Sequence, residues 1–221
     1  MEQALIIGAS GGIGSAVSEM LERRGVAVVR LSRSADGLDI TDEASVARHI
    51  GGLDGVFDLV MLTTGALEIG GMGPEKTLRE ISPKAMLAQM ALNAIGPALV
   101  LKHALPLLPK GRRSVFAALS ARVGSIGDNR LGGWYSYRAS KAALNQILHG
   151  AAIELGRSHP QAICAALHPG TVVSPLTEKY LGRHPAVTPE AAAGHLLKVI
   201  EVLTPEHSGG FFDWQGKRVP W

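Results

Sequence analysis

The chain reads as an α/β protein: one doubly wound, mostly parallel sheet flanked by helices, forming a single domain over residues 1–221. Three observations predict this. Short, nearly continuous apolar runs alternate with longer helical patterns, as expected for strands buried on both faces. A glycine-rich turn joins the first apolar run to the first helical pattern. With 221 residues at 46% hydrophobic content, the chain fills one core and is short for two.

The elements follow in order. Ala4-Leu5-Ile6-Ile7 is the first strand, a helix follows at about 13–24, and Val26-Ala27-Val28-Val29 is the second strand. Only Ser32 to Leu38 separates it from Leu38-Asp39-Ile40-Thr41, counted as a third strand. No full crossover helix fits there, so that edge of the sheet is trimmed. Thr41-Asp42-Glu43 opens a helix over 42–51, with acidic residues at its positive end. The strand Leu59-Val60-Met61-Leu62 precedes a long helix over 83–108, where Ser82-Pro83 supplies a capping hydroxyl and a proline at the first helical position. Val115 to Leu119 is the next strand, 135–157 the next helix, and Ile163 to Leu167 a strand holding Cys164. Thr188-Pro189 repeats the capping pattern before a helix at 189–203, and Gly210-Phe211-Phe212-Asp213 closes as an edge strand.

Composition narrows the function. The chain carries 22 Lys+Arg and 19 Asp+Glu, for a net charge of +3. Basic pairs such as Arg23-Arg24 and Arg112-Arg113 form no stripe interleaved with aromatics, so no nucleic-acid partner is expected. The apolar stretch Met86 to Leu108 is broken by Gln89, Asn93, Gly96-Pro97, Lys102 and His103. That pattern predicts a buried helix and no membrane partner. The N-terminus runs straight into a strand pattern, so no signal peptide is expected. The lone cysteine fits a reducing, cytoplasmic setting.

Two motifs carry chemistry. Gly8-Ala9-Ser10-Gly11-Gly12-Ile13-Gly14 lies between a strand and a helix, where a tight turn presents amide groups and the helix's positive end to a diphosphate. Gly8, Ser10, Gly12, Ile13 and Gly14 are therefore expected to hold a dinucleotide. The second strand ends in Arg30-Leu31-Ser32-Arg33-Ser34, without the acidic residue that accepts from the ribose of NAD. Arg33 instead suits a 2′-phosphate, so NADP is preferred over NAD. Asp39 and its neighbour Ile40 suit the adenine edge. Tyr137 and Lys141 stand one helical turn apart on one face. A nearby ammonium lowers a phenol's pKa, letting Tyr137 exchange a proton with a carbonyl oxygen, while Lys141 can also hold ribose hydroxyls. Alone, the pair reads more readily as a packed tyrosine and a solvated lysine. No residue is assigned to a metal.

The cradle, Asn93, the serine at the strand end (Ser120), Tyr137 with Lys141, and Pro169-Gly170 occur in the order of the short-chain dehydrogenase/reductase family, which the whole chain resembles. The run from Gly132 to Asn145 and the ending Phe212 to Trp221 resemble the branch of C-factor-like proteins and sniffer-type carbonyl reductases. The resemblance implies a Rossmann fold and an NADP-dependent enzyme that reduces an aldehyde or ketone, or oxidises the alcohol. It also implies site roles. Asn93 would sit at a local helix break serving a proton relay, and Ser120 would polarise the carbonyl. Thr63 and Gly65, in Leu62-Thr63-Thr64-Gly65, stand where the family usually has Asn-Asn-Ala-Gly. Pro169, Gly170, Thr171 and Val172 would meet the nicotinamide, and about 172–187 would form a substrate lid. The family's usual catalytic-serine position, three before Gly124, holds Ala121, with Ser120 one earlier and Ser125 as the substitute hydroxyl. A homodimer or homotetramer is expected by the same analogy. The other functional class left open is a weakly catalytic or non-catalytic dinucleotide sensor of C-factor type.

Overall fold

The computed structural model describes residues 1–174 and 186–221. Among these residues six strands form one sheet in the order β2-β1-β3-β4-β5-β6, with every neighbouring pair parallel. They are β1 (Gln3–Ile7), β2 (Ala27–Leu31), β3 (Leu59–Leu62), β4 (Ser114–Leu119), β5 (Ala162–His168) and β6 (Phe211–Asp213). The helices are α1 (Gly12–Arg23), α2 (Arg33–Asp36), α3 (Glu43–His49), α4 (Pro83–Met90), α5 (Gly96–Ala104), α6 (Tyr135–Ser158) and α7 (Pro189–Val202). The chain runs outward from β1 to β2 and then reverses to β3, so the switch point, where such sheets bind ligands, lies at the carboxyl ends of β1 and β3.

The strands alternate between two apolar layers. Leu5, Val60, Phe116 and Cys164 share one buried cluster with Leu144 and Leu148 of α6 and Val100 of α5. Ile6, Met61, Ala117 and Ile163 share the other with Val17 of α1 and Leu196 of α7. Both faces are covered, which explains why the strand sequences are apolar throughout. The caps read from the sequence, Ser82 and Thr188, each accept a backbone N–H in the first turn of α4 and α7, and Asp42, expected as the first residue of its helix, instead caps α3 in the same way.

Two sequence expectations are corrected. Leu38-Asp39-Ile40-Thr41 forms no strand. The chain leaves β2 through the four-residue α2, which closes at Gly37 (φ 74), and Leu38 N then bonds back to Ser32 O. Leu38 and Ile40 reach the core from this turn, so β2 is the sheet edge. The helix expected over 83–108 is also not uniform. A π-turn, Ala91–Ile95, separates α4 from α5, and a 3-10 turn at Leu105–Leu107 ends it. Among the described residues, Pro83–Leu107 is the one helical stretch long and apolar enough to cross a membrane by length and composition. Here it packs against α6 and α3.

Candidate active site

The cradle is built by close approach. Gly8 follows β1 with φ 89, and its amide bonds to Leu31 O. A Cβ on Gly14 would stand 2.3 Å from Gly8 O and 2.6 Å from Thr63 Oγ1, so only glycine lets α1 start this near the sheet. Thr63 Oγ1 lies 2.9 Å from Ile7 O and 3.2 Å from Gly8 O, stitching β3 to the turn. The start of α1 has Gly11 as its cap with no side-chain bond, and its first turn holds no acidic residue. Ser10, Gly11 and Gly12 are exposed there, with Ile13 half-buried. A positive helix end at the switch point, with no acidic residue in its own first turn, fits a dinucleotide diphosphate.

Arg33 opens α2 and is exposed. Asp39 Oδ1 accepts from Thr41 Oγ1 and N at 2.7 and 2.9 Å, and these bonds, with a lesser contribution from Arg33, hold its carboxyl below the usual range. Ile40 turns its side chain inward, so that a Cβ on Gly96 would come within 2.9 Å of it.

The catalytic candidates converge at the carboxyl ends of β3 and β4. Tyr137, Lys141 and Asn145 are buried and follow one another at four-residue steps on α6. Lys141 Nζ donates to Leu119 O at 2.9 Å and lies 5.9 Å from the centre of the Tyr137 ring. A Cβ on Gly65 (φ 153) would be 3.2 Å from Asn93 Oδ1 and 3.3 Å from Lys141 Nζ, so glycine just past the end of β3 leaves room for both side chains. Asn93 sits in the π-turn, at the local break expected of it. Its side chain accepts from Ala66 N and donates to Ala66 O and Gln89 Oε1, and Gln89 Nε2 donates to Leu67 O.

Ser120 points elsewhere than expected. It shares the face of β4 that carries Phe116 and Ala118 toward α6, and its hydroxyl donates to Asn145 Oδ1 at 2.7 Å. Ser125 is also committed, donating to Pro220 O and accepting from Asp128 N. Beyond β5, Gly170 (φ 79) lies against Trp214, where a Cβ would be 3.1 Å from the indole. Thr171 O accepts from Val187 N, and buried Val172 bridges to Val187. Most of the lid expected over 172–187, residues 175–185, lies outside the described residues.

Burial sets the electrostatics. It pushes the Tyr137 phenol up to about 12 and the Lys141 ammonium down to about 8, so both resist charging in the protein alone. His168 ends β5 with its Nδ1 lacking a hydrogen-bond partner among the described residues. Burial, helped by Arg122, pushes its pKa down to about 4 against the opposing pull of Asp213. The imidazole is therefore neutral at neutral pH. Sequence reasoning missed Gln89, Asn145 and His168. The first two carry a signal in hindsight, each standing four residues from an assigned side chain on the same helix.

A family model described as enoyl-(acyl carrier protein) reductase matches residues 8–210. A dehydrogenase of Rhodococcus sp. (strain AD45), named for 1-hydroxy-2-glutathionyl-2-methyl-3-butene, is 34% identical over 100% of both chains. C-signal of Myxococcus xanthus is 37% identical, covering 65% of this chain and 83% of its own. An NADPH-bound carbonyl reductase from chicken fatty liver superposes with a TM-score of 0.82 at 24% identity, covering 100% of this chain and 94% of its own. The chain belongs to the short-chain dehydrogenase/reductase family. Within that family it is a nicotinamide-dependent oxidoreductase acting on a small molecule.

Proposed function

We propose that the protein is an NADP(H)-dependent carbonyl reductase, converting an aldehyde or ketone to an alcohol or running in reverse. The observation that carries this reading is the buried Tyr137–Lys141 pair beside Asn93, at the carboxyl ends of the strands next to an uncapped helix start. The turn from Gly8 to Gly14, with Ser10, Gly12 and Ile13, would hold the diphosphate, and exposed Arg33 the 2′-phosphate. Asp39 and Ile40 would border the adenine, Thr63 and Gly65 would back the ribose side, and Pro169 to Val172 would face the carboxamide. A bound NADPH supplies the hydride.

The chain's own residues manage the proton. Tyr137, neutral by burial, donates to the carbonyl oxygen as negative charge develops there. Lys141, held by Leu119 O, keeps a cation close to the ring and eases the phenolate that results. Asn93 fixes Ala66 and the π-turn around that lysine. Ser120 helps polarise the carbonyl only if its hydroxyl leaves Asn145, so the main hydrogen bond to substrate is assigned to Tyr137. A binding-only sensor would leave this buried pair without a task.

Three finer points belong to the same reading. Leu87, Ile95 and Ile153 are exposed on the helical layer of α4 to α6 and support a homodimer or homotetramer through it. Buried, unpaired Cys164 supports a cytoplasmic setting. Residues at about 172–187 are the proposed lid. The test is NADPH consumption across a panel of aldehydes and ketones. Tyr137→Phe should lower turnover by about 10²–10⁴-fold while NADPH binding survives. Parent-like turnover in Tyr137→Phe would remove the proposed mechanism.

A further inference from the structure

The helix that carries Tyr137 is capped from outside. Trp134, its N-cap residue, lies in the left-handed region (φ 54) and makes no side-chain capping bond, and the first turn of α6 has no acidic residue. Glu75, 61 positions before Ser136, takes over. Its carboxylate accepts from Ser136 N at 3.1 Å and from Ser136 Oγ, and its backbone oxygen accepts from Trp134 N at 2.5 Å. The residue is 4% exposed. Although burial pushes its pKa up, the Ser136 bonds hold it below the usual carboxylate range, so the cap is an anion at the positive end of α6.

Glu75 ends a strap that begins at the other side of the site. Ala66 and Leu67 are pinned by Asn93 and Gln89, and Ile69 and Met72 bond each other midway. Under the strap lies a cavity of about 10 Å³, room for a single water, bordered by Met72, Glu75, Gln89, Ser136 and Tyr137. One ten-residue segment thus joins the π-turn of Asn93 to the first turn of the Tyr137 helix. First turns fray unless capped, and proton transfer fails when its donor drifts out of hydrogen-bond reach.

We propose that Glu75 is the positioning residue of the proton donor: it locks the first turn of α6 and thereby sets the Tyr137 phenol against the strap that also holds Asn93. The proposal rests on the reading of Tyr137 as that donor. The experiment compares parent, Glu75→Ala, Glu75→Gln and Ser136→Ala with NADPH bound, recording kcat, KM, NADPH Kd and amide exchange at residues 135–138.

Glu75→Ala should lose about tenfold or more in kcat while KM and NADPH Kd stay within about twofold, because misplacement touches only the reacting step. Exchange at 135–138 should rise. Glu75→Gln, whose amide oxygen still accepts from Ser136, should recover kcat to within about threefold of the parent. Parent-like kcat in Glu75→Ala, or a Gln variant as impaired as the Ala variant, overturns the proposal. If Glu75→Ala does not fold, Ser136→Ala decides: a lower kcat at constant NADPH Kd supports positioning, and an unchanged kcat overturns it. If the parent reduces no carbonyl yet exchange still rises in Glu75→Ala, the cap stands and the reductase reading falls. Unchanged exchange overturns the cap whatever the activity.

Discussion

Replacing Gly14 with alanine tests whether the cradle is set by contact. The added Cβ would sit 2.3 Å from Gly8 O and 2.6 Å from Thr63 Oγ1. Gly8 O is backbone and cannot swing aside, so the turn itself must shift. Helix propensity favours alanine by up to about 1 kcal/mol. Overpacking opposes it by about 1–3 kcal/mol, and moving Thr63 off its acceptors adds about 1 kcal/mol. The net expectation is a destabilisation of about 1–3 kcal/mol. Gly12→Ala is the control: its Cβ would meet the Pro189 ring at 3.2 Å, a contact tight by a few tenths of an ångström rather than a backbone overlap. Its stability should stay within about 0.5 kcal/mol of the parent. Urea unfolding should show a lower midpoint and an unchanged slope for Gly14→Ala alone, and fluorescence titration should show NADPH binding weakened about tenfold or more. A Gly14→Ala protein with parent stability and parent affinity would refute the steric account.

Further outcomes follow from individual contacts. Ser120→Ala strands Asn145 Oδ1 in a buried site, so unfolding should show a loss of about 1–3 kcal/mol, and turnover should fall less than in Tyr137→Phe. Arg33→Ala should raise the NADPH Kd about tenfold and leave the NADH Kd within about twofold. Equal losses would take Arg33 out of the 2′-phosphate role. The folded-state pKa of Lys141 is depressed to about 8, so between pH 8 and its ordinary value of 10.5 the unfolded chain binds the extra proton and stability rises with pH. Above pH 10 the raised Tyr137 pKa acts the other way, because the unfolded phenol then loses its proton first. From about pH 9 buried Cys164, its thiol pushed up to about 12, also acts against Lys141, so urea midpoints should climb from pH 8 to about pH 9 in the parent, and Lys141→Met should abolish that climb.

The strands, the glycine turn and the caps were legible because each is a local pattern. Runs such as Leu59–Leu62 announce burial on both faces, and Ser82-Pro83 or Thr188-Pro189 announce a helix start. Leu38 and Ile40 misled for the same reason. Their apolar spacing looks like a strand, yet both reach the core from a turn with no ladder partner. The pairing of Tyr137 with Lys141 was visible from helical spacing, and Asn145 continues that series. Glu75 was not visible. Its partner lies 61 positions away, and nothing in Gly73-Pro74-Glu75-Lys76 distinguishes a buried cap from a solvated loop carboxylate.

Ser120 shows how strand parity decides chemistry. With Phe116 and Ala118 facing α6, the next residue of that parity meets the helix one turn beyond Lys141, where Asn145 Oδ1 accepts its hydrogen bond. A twist at the end of β4 would have been needed to turn the hydroxyl away, but Ser120 N still bonds to Leu167 O, extending the ladder past the last strand residue. That ladder bond keeps the backbone extended and the hydroxyl committed. On the proposed function, Tyr137 is then the main donor to the carbonyl oxygen among the described residues, and its placement rests on how firmly the start of α6 is held. In that case the contacts of Glu75 with Ser136 and Trp134, which hold the start of α6, bear directly on where that donor stands.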